Sequence, residues 1–158
     1  MFRVLFVCTG NICRSPTAEG VFRTLVETRG LSHRIEADSA GIGSWHVGEP
    51  PDPRSQDTAR RRGVEIGGQR ARTVRADDFS GFDLLLAMDS THYRQLGRAC
   101  PPEYVDRVRM FLDYAPELGH ADVPDPYYGE GDGFENVFDM IETASQGLLA
   151  EIEANHLS

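Results

Sequence analysis

The chain contains no lysine. All 16 of its basic residues are arginines, and none lies beyond Arg109. The glycine–lysine pattern of nucleotide-binding loops is therefore missing, which excludes an NTPase of that type. Arginine alone as the basic residue fits a GC-rich, bacterial coding sequence. Positive charge is scarce overall: the net charge is −9, which argues against a general nucleic-acid binder. Of the 25 acidic residues, 11 follow Arg109, which points to a solvated acidic helix face near the C-terminus. Cysteine is also sparse. Three cysteines fit a reducing, cytoplasmic setting better than a disulfide scaffold. No apolar run approaches the roughly 20 residues that span a bilayer, so membrane insertion is not expected. The N-terminus lacks the charged-then-apolar pattern of a secretory signal. The histidines at 33, 46, 92, 120 and 156 are scattered without metal-ligand spacing. Surface positions and no metal or other cofactor are expected. With no repeat, low-complexity tract or linker, residues 1–158 read as a single domain.

The elements alternate. Phe2 to Val7 is a short apolar, β-rich run, read as a buried strand. Ser15 followed by Pro16 is read as a helix cap with proline at the first helical position. Ala18, Val21, Phe22, Leu25 and Val26 then share a helix face, and Gly30 closes it. Residues 34–39 form a second strand. Residues 40–53, with three glycines and three prolines, form a long structured loop. Asp52 and Pro53 repeat the cap-plus-proline pattern and open a helix reaching Gly63. Leu84 to Met88 and Val105 to Leu112 supply two more strands. Phe134, Val137, Phe138, Ile141, Leu148, Leu149 and Ile152 line a long closing helix. This order predicts an α/β fold: a four-stranded parallel sheet with helices on both faces. Ligands bind such sheets outside the carboxyl ends of the strands, where Cys8 falls.

Cys8-Thr9-Gly10-Asn11-Ile12-Cys13-Arg14-Ser15 joins the first strand to the first helix. Gly10 and Asn11 permit the backbone angles of a tight loop. Successive N–H groups and a helix N-terminus suit an anion, and Arg14 adds a planar fork for two phosphate oxygens. A thiolate at Cys8 in that cradle is a nucleophile for phosphoryl transfer. Ser15 would hydrogen-bond Cys8 and stabilise it as a leaving group. An alkoxide or phenoxide leaves poorly without a proton, and Asp125 in Asp125-Pro126-Tyr127-Tyr128 is the candidate acid. Tyr127 and Tyr128 would wall a slot for a ring.

These residues resemble the low-molecular-weight protein tyrosine phosphatases. The loop at Cys8 to Ser15 and the Asp-Pro-Tyr-Tyr at Asp125 to Tyr128 match two signatures of that family. Asp38-Ser39-Ala40-Gly41, Trp45, Pro51 to Arg54 and Ala87-Met88-Asp89 are similar to its intermediate segments. The resemblance covers essentially the whole chain. It implies that Cys8 is the nucleophile, Arg14 the phosphate clamp and Asp125 the acid and later the base. It makes Asn11 and Ser39 supports of the loop, and Trp45, Ile12 and Tyr127 the walls of the ring slot. Trp45 on its own would more often be a core residue. Gln69 stands where the family often has a supporting histidine. The implied partners are phosphotyrosine proteins, with a cognate tyrosine kinase as a candidate and a place in signalling. Three rivals remain. A thiol-dependent arsenate reductase needs a further cysteine pair, which Cys100 does not form. A phosphoarginine phosphatase is expected to have threonine where Ile12 stands. A phosphotyrosine-binding module without activity would tolerate loss of Cys8 or Asp125, yet both are present.

Overall fold

The apolar run near the N-terminus forms strand β1 (Phe2–Cys8), buried from Val4 onward. A strand with no polar alternation must be covered on both faces, and it occupies a central position in a parallel sheet. The computed structural model describes residues 1–126 and 133–157. In it β1 pairs in parallel with β2 (Ile35–Gly41) on one side and with β3 (Leu84–Ala87) on the other. β3 pairs in parallel with β4 (Val108–Met110), giving the order β2-β1-β3-β4. The register sets Cys8 beside Gly41, and Val7 beside Ala40 and Ala87. The chain's path reverses direction across the sheet at β1, so the carboxyl end of β1 is the switch point where a crevice opens.

Side chains of β1 alternate between two cores. Val4, Phe6 and Cys8 join the cluster under α1 (Arg14–Thr28) and α5 (Gly133–Asn155). There Phe6 meets Phe22 and Phe111 edge-on, with centroids 5.7 and 5.2 Å apart. Leu5 and Val7 face the opposite side and pack with Phe79 of α3 (Ala76–Gly81) and Leu96 of α4 (Ser90–Ala99). The expected parallel sheet with helices on both faces is the observed one.

Local punctuation placed most elements. Asp52 accepts from the backbone N–H of Arg54 at 2.8 Å and caps α2 (Pro53–Arg61). Gly30 and Gly63 follow α1 and α2 with φ of 71° and 83°, a conformation glycine adopts without strain. Two expectations need correction, and two helices come in addition. The fourth strand is only Val108–Met110, because Pro102–Arg107 and Phe111–Tyr114 curl into 3₁₀ turns on either side of it. Helices α3 and α4 were not anticipated. Ser15 does not cap α1: the cap position is Cys13, and no side chain closes that helix end. The Ser15 hydroxyl is engaged elsewhere, against the Cys8 sulfur.

Candidate active site

The chain leaves β1 at Cys8 and enters α1 at Arg14, so a very short loop must turn a strand into a helix. Asn11 makes the turn with φ of 59°, in the left-handed region. The neighbouring segment then orients the loop's peptides. Ile42 N–H donates to the Cys8 carbonyl (3.0 Å), Gly43 N–H to Thr9 (2.9 Å) and Asp52 N–H to Ile12 (2.8 Å). Carbonyl and N–H point oppositely across a planar trans peptide. Holding these carbonyls outward therefore turns the N–H groups of Thr9, Gly10 and Cys13 to the other side, forming an anion nest. Glycine at position 41 lets the loop approach closely: a Cβ there would lie 3.0 Å from the Gly10 and Thr9 backbone.

A polar network supports the loop from within. Asn11 Nδ2 donates to Ser15 Oγ and Ser39 Oγ, each at 2.9 Å, and its Oδ1 accepts from Arg72 N–H at 3.0 Å. Ser39 Oγ donates to Glu19 Oε1 at 2.7 Å. Burial pushes the Glu19 carboxyl pKa up, against the opposing pull of Arg23. Gln69 reaches the same network, with Oε1 3.4 Å from Ser39 Oγ and Nε2 donating to the Pro16 carbonyl at 2.9 Å. Ser15 Oγ lies 2.9 Å from Cys8 Sγ. Since Ser15 accepts from Asn11, its own proton is available to the sulfur.

Arg14 is buried to 3% exposure, and its two Nη groups have partners. Nη1 donates to Asp89 Oδ2 (2.9 Å) and to the Val123 carbonyl (3.0 Å), and Nη2 to Thr9 Oγ1 (3.3 Å). Asp125 Oδ2 stands 3.5 Å from Nη2, with its side chain 35% exposed. Burial opposes the Asp89 carboxylate, but the His92 N–H and Arg14 outweigh it and hold its pKa below the usual range. Burial, with Asp52 adding, pushes the Cys13 pKa up to about 12, so it stays a thiol.

Cys8, Thr9, Gly10, Ile12, Arg14, Trp45 and Asp125 meet around a cleft of about 360 Å³, with Cys13 and His46 completing its lining. Trp45, expected as a wall of the ring slot, is at the lip of the cleft, 71% exposed and outside the core. Its indole lies back over Gly43, where a Cβ would collide with the ring. Ser15 and Ser39 lie beneath the loop. Tyr127 and Tyr128 fall outside the described residues. The surface expectation for the histidines fails at His92. It is buried, with Nε2 2.8 Å from Thr9 Oγ1. Its one signal in the sequence is Asp89 three residues earlier, a helix cap that accepts from the His92 N–H at 3.0 Å. Among the described residues no group of three His, Cys, Asp or Glu side chains is arranged to hold a metal ion.

A nest of N–H groups, a buried arginine fork and a cysteine beneath them, at the switch point of a parallel sheet, define the class of proteins built to hold a phosphate against a thiol. Comparison with known proteins narrows that class. The family model described as low molecular weight phosphotyrosine protein phosphatase matches residues 3–157. A Streptomyces coelicolor low molecular weight protein-tyrosine-phosphatase is 50% identical over 154 residues, covering 96% of this chain and 93% of that protein. The crystal structure of YfkJ from Bacillus subtilis superposes with a TM-score of 0.94 at 44% identity, covering 99% of this chain and 97% of that one. A Drosophila arginine phosphatase superposes with a TM-score of 0.88 at 31% identity, covering 96% of this chain and 98% of that one. The chain belongs to the low molecular weight phosphotyrosine protein phosphatase family.

Proposed function

We propose that residues 1–158 act as one phosphatase domain that hydrolyses phosphotyrosine on proteins through a cysteinyl-phosphate. The nest and Arg14 bind the phosphate with its phosphorus above Cys8. The Cys8 thiolate attacks phosphorus, and the tyrosyl oxygen leaves with a proton from Asp125. Asp125, now a carboxylate, takes a proton from water as that water attacks the cysteinyl-phosphate. Inorganic phosphate departs and the thiolate returns, with the Ser15 proton stabilising it. Trp45 and Ile12 wall the ring. The observation that carries this reading is the contact of Cys8 Sγ with Ser15 Oγ at 2.9 Å in the cleft that Arg14 and Asp125 share. The low cysteine count supports a cytoplasmic place. A cognate tyrosine kinase would supply the substrates, which makes the reaction a signalling step.

Ile12, an apolar side chain on the cleft wall, favours an aromatic ring over a guanidinium. Turnover of matched peptides bearing phosphotyrosine, phosphoarginine or phosphoserine tests the choice. Phosphotyrosine is expected to be cleaved with the highest kcat/KM, and acid quenching is expected to trap label on Cys8. Preference for phosphoarginine, or full activity in Cys8→Ser, would overturn the proposal.

A further inference from the structure

We infer that His92, as a neutral imidazole, is a positioning residue that sets the Thr9 hydroxyl and through it the Nη2 edge of Arg14. The inference rests on Arg14 as the phosphate clamp. Hydrogen-bond directions carry it. A guanidinium only donates, so Thr9 Oγ1, 3.3 Å from Arg14 Nη2, is the acceptor there. The hydroxyl proton must then go elsewhere, and His92 Nε2 at 2.8 Å is the partner in reach. Nε2 therefore carries a lone pair, and Nδ1 carries the proton. Nδ1 lies 3.2 Å from Asp89 Oδ1, too oblique for a hydrogen bond, and has no other partner among the described residues. The opposite tautomer would press a lone pair against that carboxylate.

The two groups that hold the imidazole are the two that hold Arg14. Thr9 meets Nη2, and Asp89 meets Nη1 at 2.9 Å. His92, Thr9, Arg14 and Asp89 thus close a ring of contacts around the guanidinium. Three acceptors, Asp89, the Val123 carbonyl and Thr9, fix its plane. Among the described residues none accepts from Nε, and beyond Thr9 the Nη2 group meets the Asp125 carboxylate at 3.5 Å, so a bidentate phosphate would take Nε and the Nη2 hydrogen that Asp125 faces. Removing the imidazole frees Thr9 to rotate its proton towards Arg14 and lose that acceptor. Burial and the adjacent Arg14 keep the ring unprotonated, with a pKa of about 4, so the arrangement holds throughout the neutral range.

The alternative is that His92 merely fills space. His92→Leu keeps bulk without an acceptor, His92→Asn is too short to reach Thr9, and His92→Gln carries an amide oxygen near the Nε2 position. The competitive inhibition constant of inorganic phosphate and kcat/KM on a phosphotyrosine peptide are measured with the melting temperature. Leu and Asn are expected to weaken phosphate about 10-fold, the scale of one hydrogen bond to a charged network, and Gln to recover most of it. Thr9→Val should match that loss, and adding His92→Leu to it should add nothing, because both act through one hydroxyl. Additive losses, or Gln as damaging as Asn, would overturn the inference. So would a lowered melting temperature with unchanged phosphate inhibition. If the Leu variant fails to fold, Gln against Asn decides. Arg14→Ala separates the two levels. If it leaves phosphate binding intact, the clamp reading fails and the inference with it. If it abolishes binding while the His92 variants do not weaken it, only the inference fails.

Discussion

Replacing Asn11 with alanine should break the loop from inside. The side chain donates to two hydroxyls and accepts from the Arg72 N–H, three hydrogen bonds at 2.9–3.0 Å in a site 3% exposed. At about 1 kcal/mol net each, their loss costs about 3 kcal/mol. Alanine at φ of 59° adds roughly 1–2 kcal/mol, which asparagine partly avoids. The stranded hydroxyls keep other partners, Cys8 for Ser15 and Glu19 for Ser39, so the lower end of the sum applies: about 4 kcal/mol. With a urea m-value of ~1–3 kcal/mol/M, the midpoint should fall by about 2 M. Urea titration followed by far-UV circular dichroism reads the stability, and kcat/KM on a phosphotyrosine peptide reads the loop. Asn11→Gly should regain about 1 kcal/mol of stability, since it relieves the backbone but restores no hydrogen bond. An alanine variant within about 1 kcal/mol of wild type, with kcat/KM unchanged, would refute the claim that this side chain holds the loop.

Asp125→Asn should slow phosphotyrosine cleavage by ~10²–10⁴ in single turnover, and nitrophenyl phosphate far less, because only the poorer leaving group needs the proton. A uniform loss would assign Asp125 to positioning and make Asp89 the next acid to test. After peroxide, wild type should recover with a dithiol while Cys13→Ser should not. Sulfenic acid at Cys8 condenses with the Cys13 thiol to a disulfide and water, and equal recovery would refute this protection. His92 should make the fold acid-sensitive. Its native pKa of about 4 lies below the ordinary 6.5, so between those values the unfolded chain binds more protons. Stability is then present above 6.5 and is lost as pH falls towards about 4, by at most ~1.4 kcal/mol per pH unit. Asp89, Asp125 and Asp122 oppose the shift, while burial and Arg14 cause it. Melting temperatures across that range should fall less steeply in His92→Gln, and identical slopes would refute the assignment.

The legible parts of this molecule are those whose causes are local. Asp52 with Pro53, and Gly30 and Gly63 past their helices, announce boundaries because capping is decided within a few residues. The eight residues from Cys8 to Ser15 are a strand-to-helix turn with its chemistry on it. Helix α4 was hidden because only His92 and Leu96 of its ten residues are buried, which leaves no apolar stripe to read. His92 was misjudged for a related reason: its partner Thr9 lies 83 residues away in the sequence. Ser15 followed by proline looks like a cap until the Cys8 sulfur competes for the hydroxyl. At His92 and Ser15 a contact formed by the fold overrides a local preference.

The placement of the indole at the lip of the cleft gives the protein its own optical probe. Trp45 is the chain's one tryptophan, so selectively excited emission has a single origin. It is already exposed in the folded state, and unfolding changes its surroundings little. The largest fully buried rings belong to Phe6, Phe22, Phe111 and Phe138, which that excitation does not reach. Tryptophan emission in this protein therefore follows what enters the cleft, and hardly registers whether the sheet behind it is still folded.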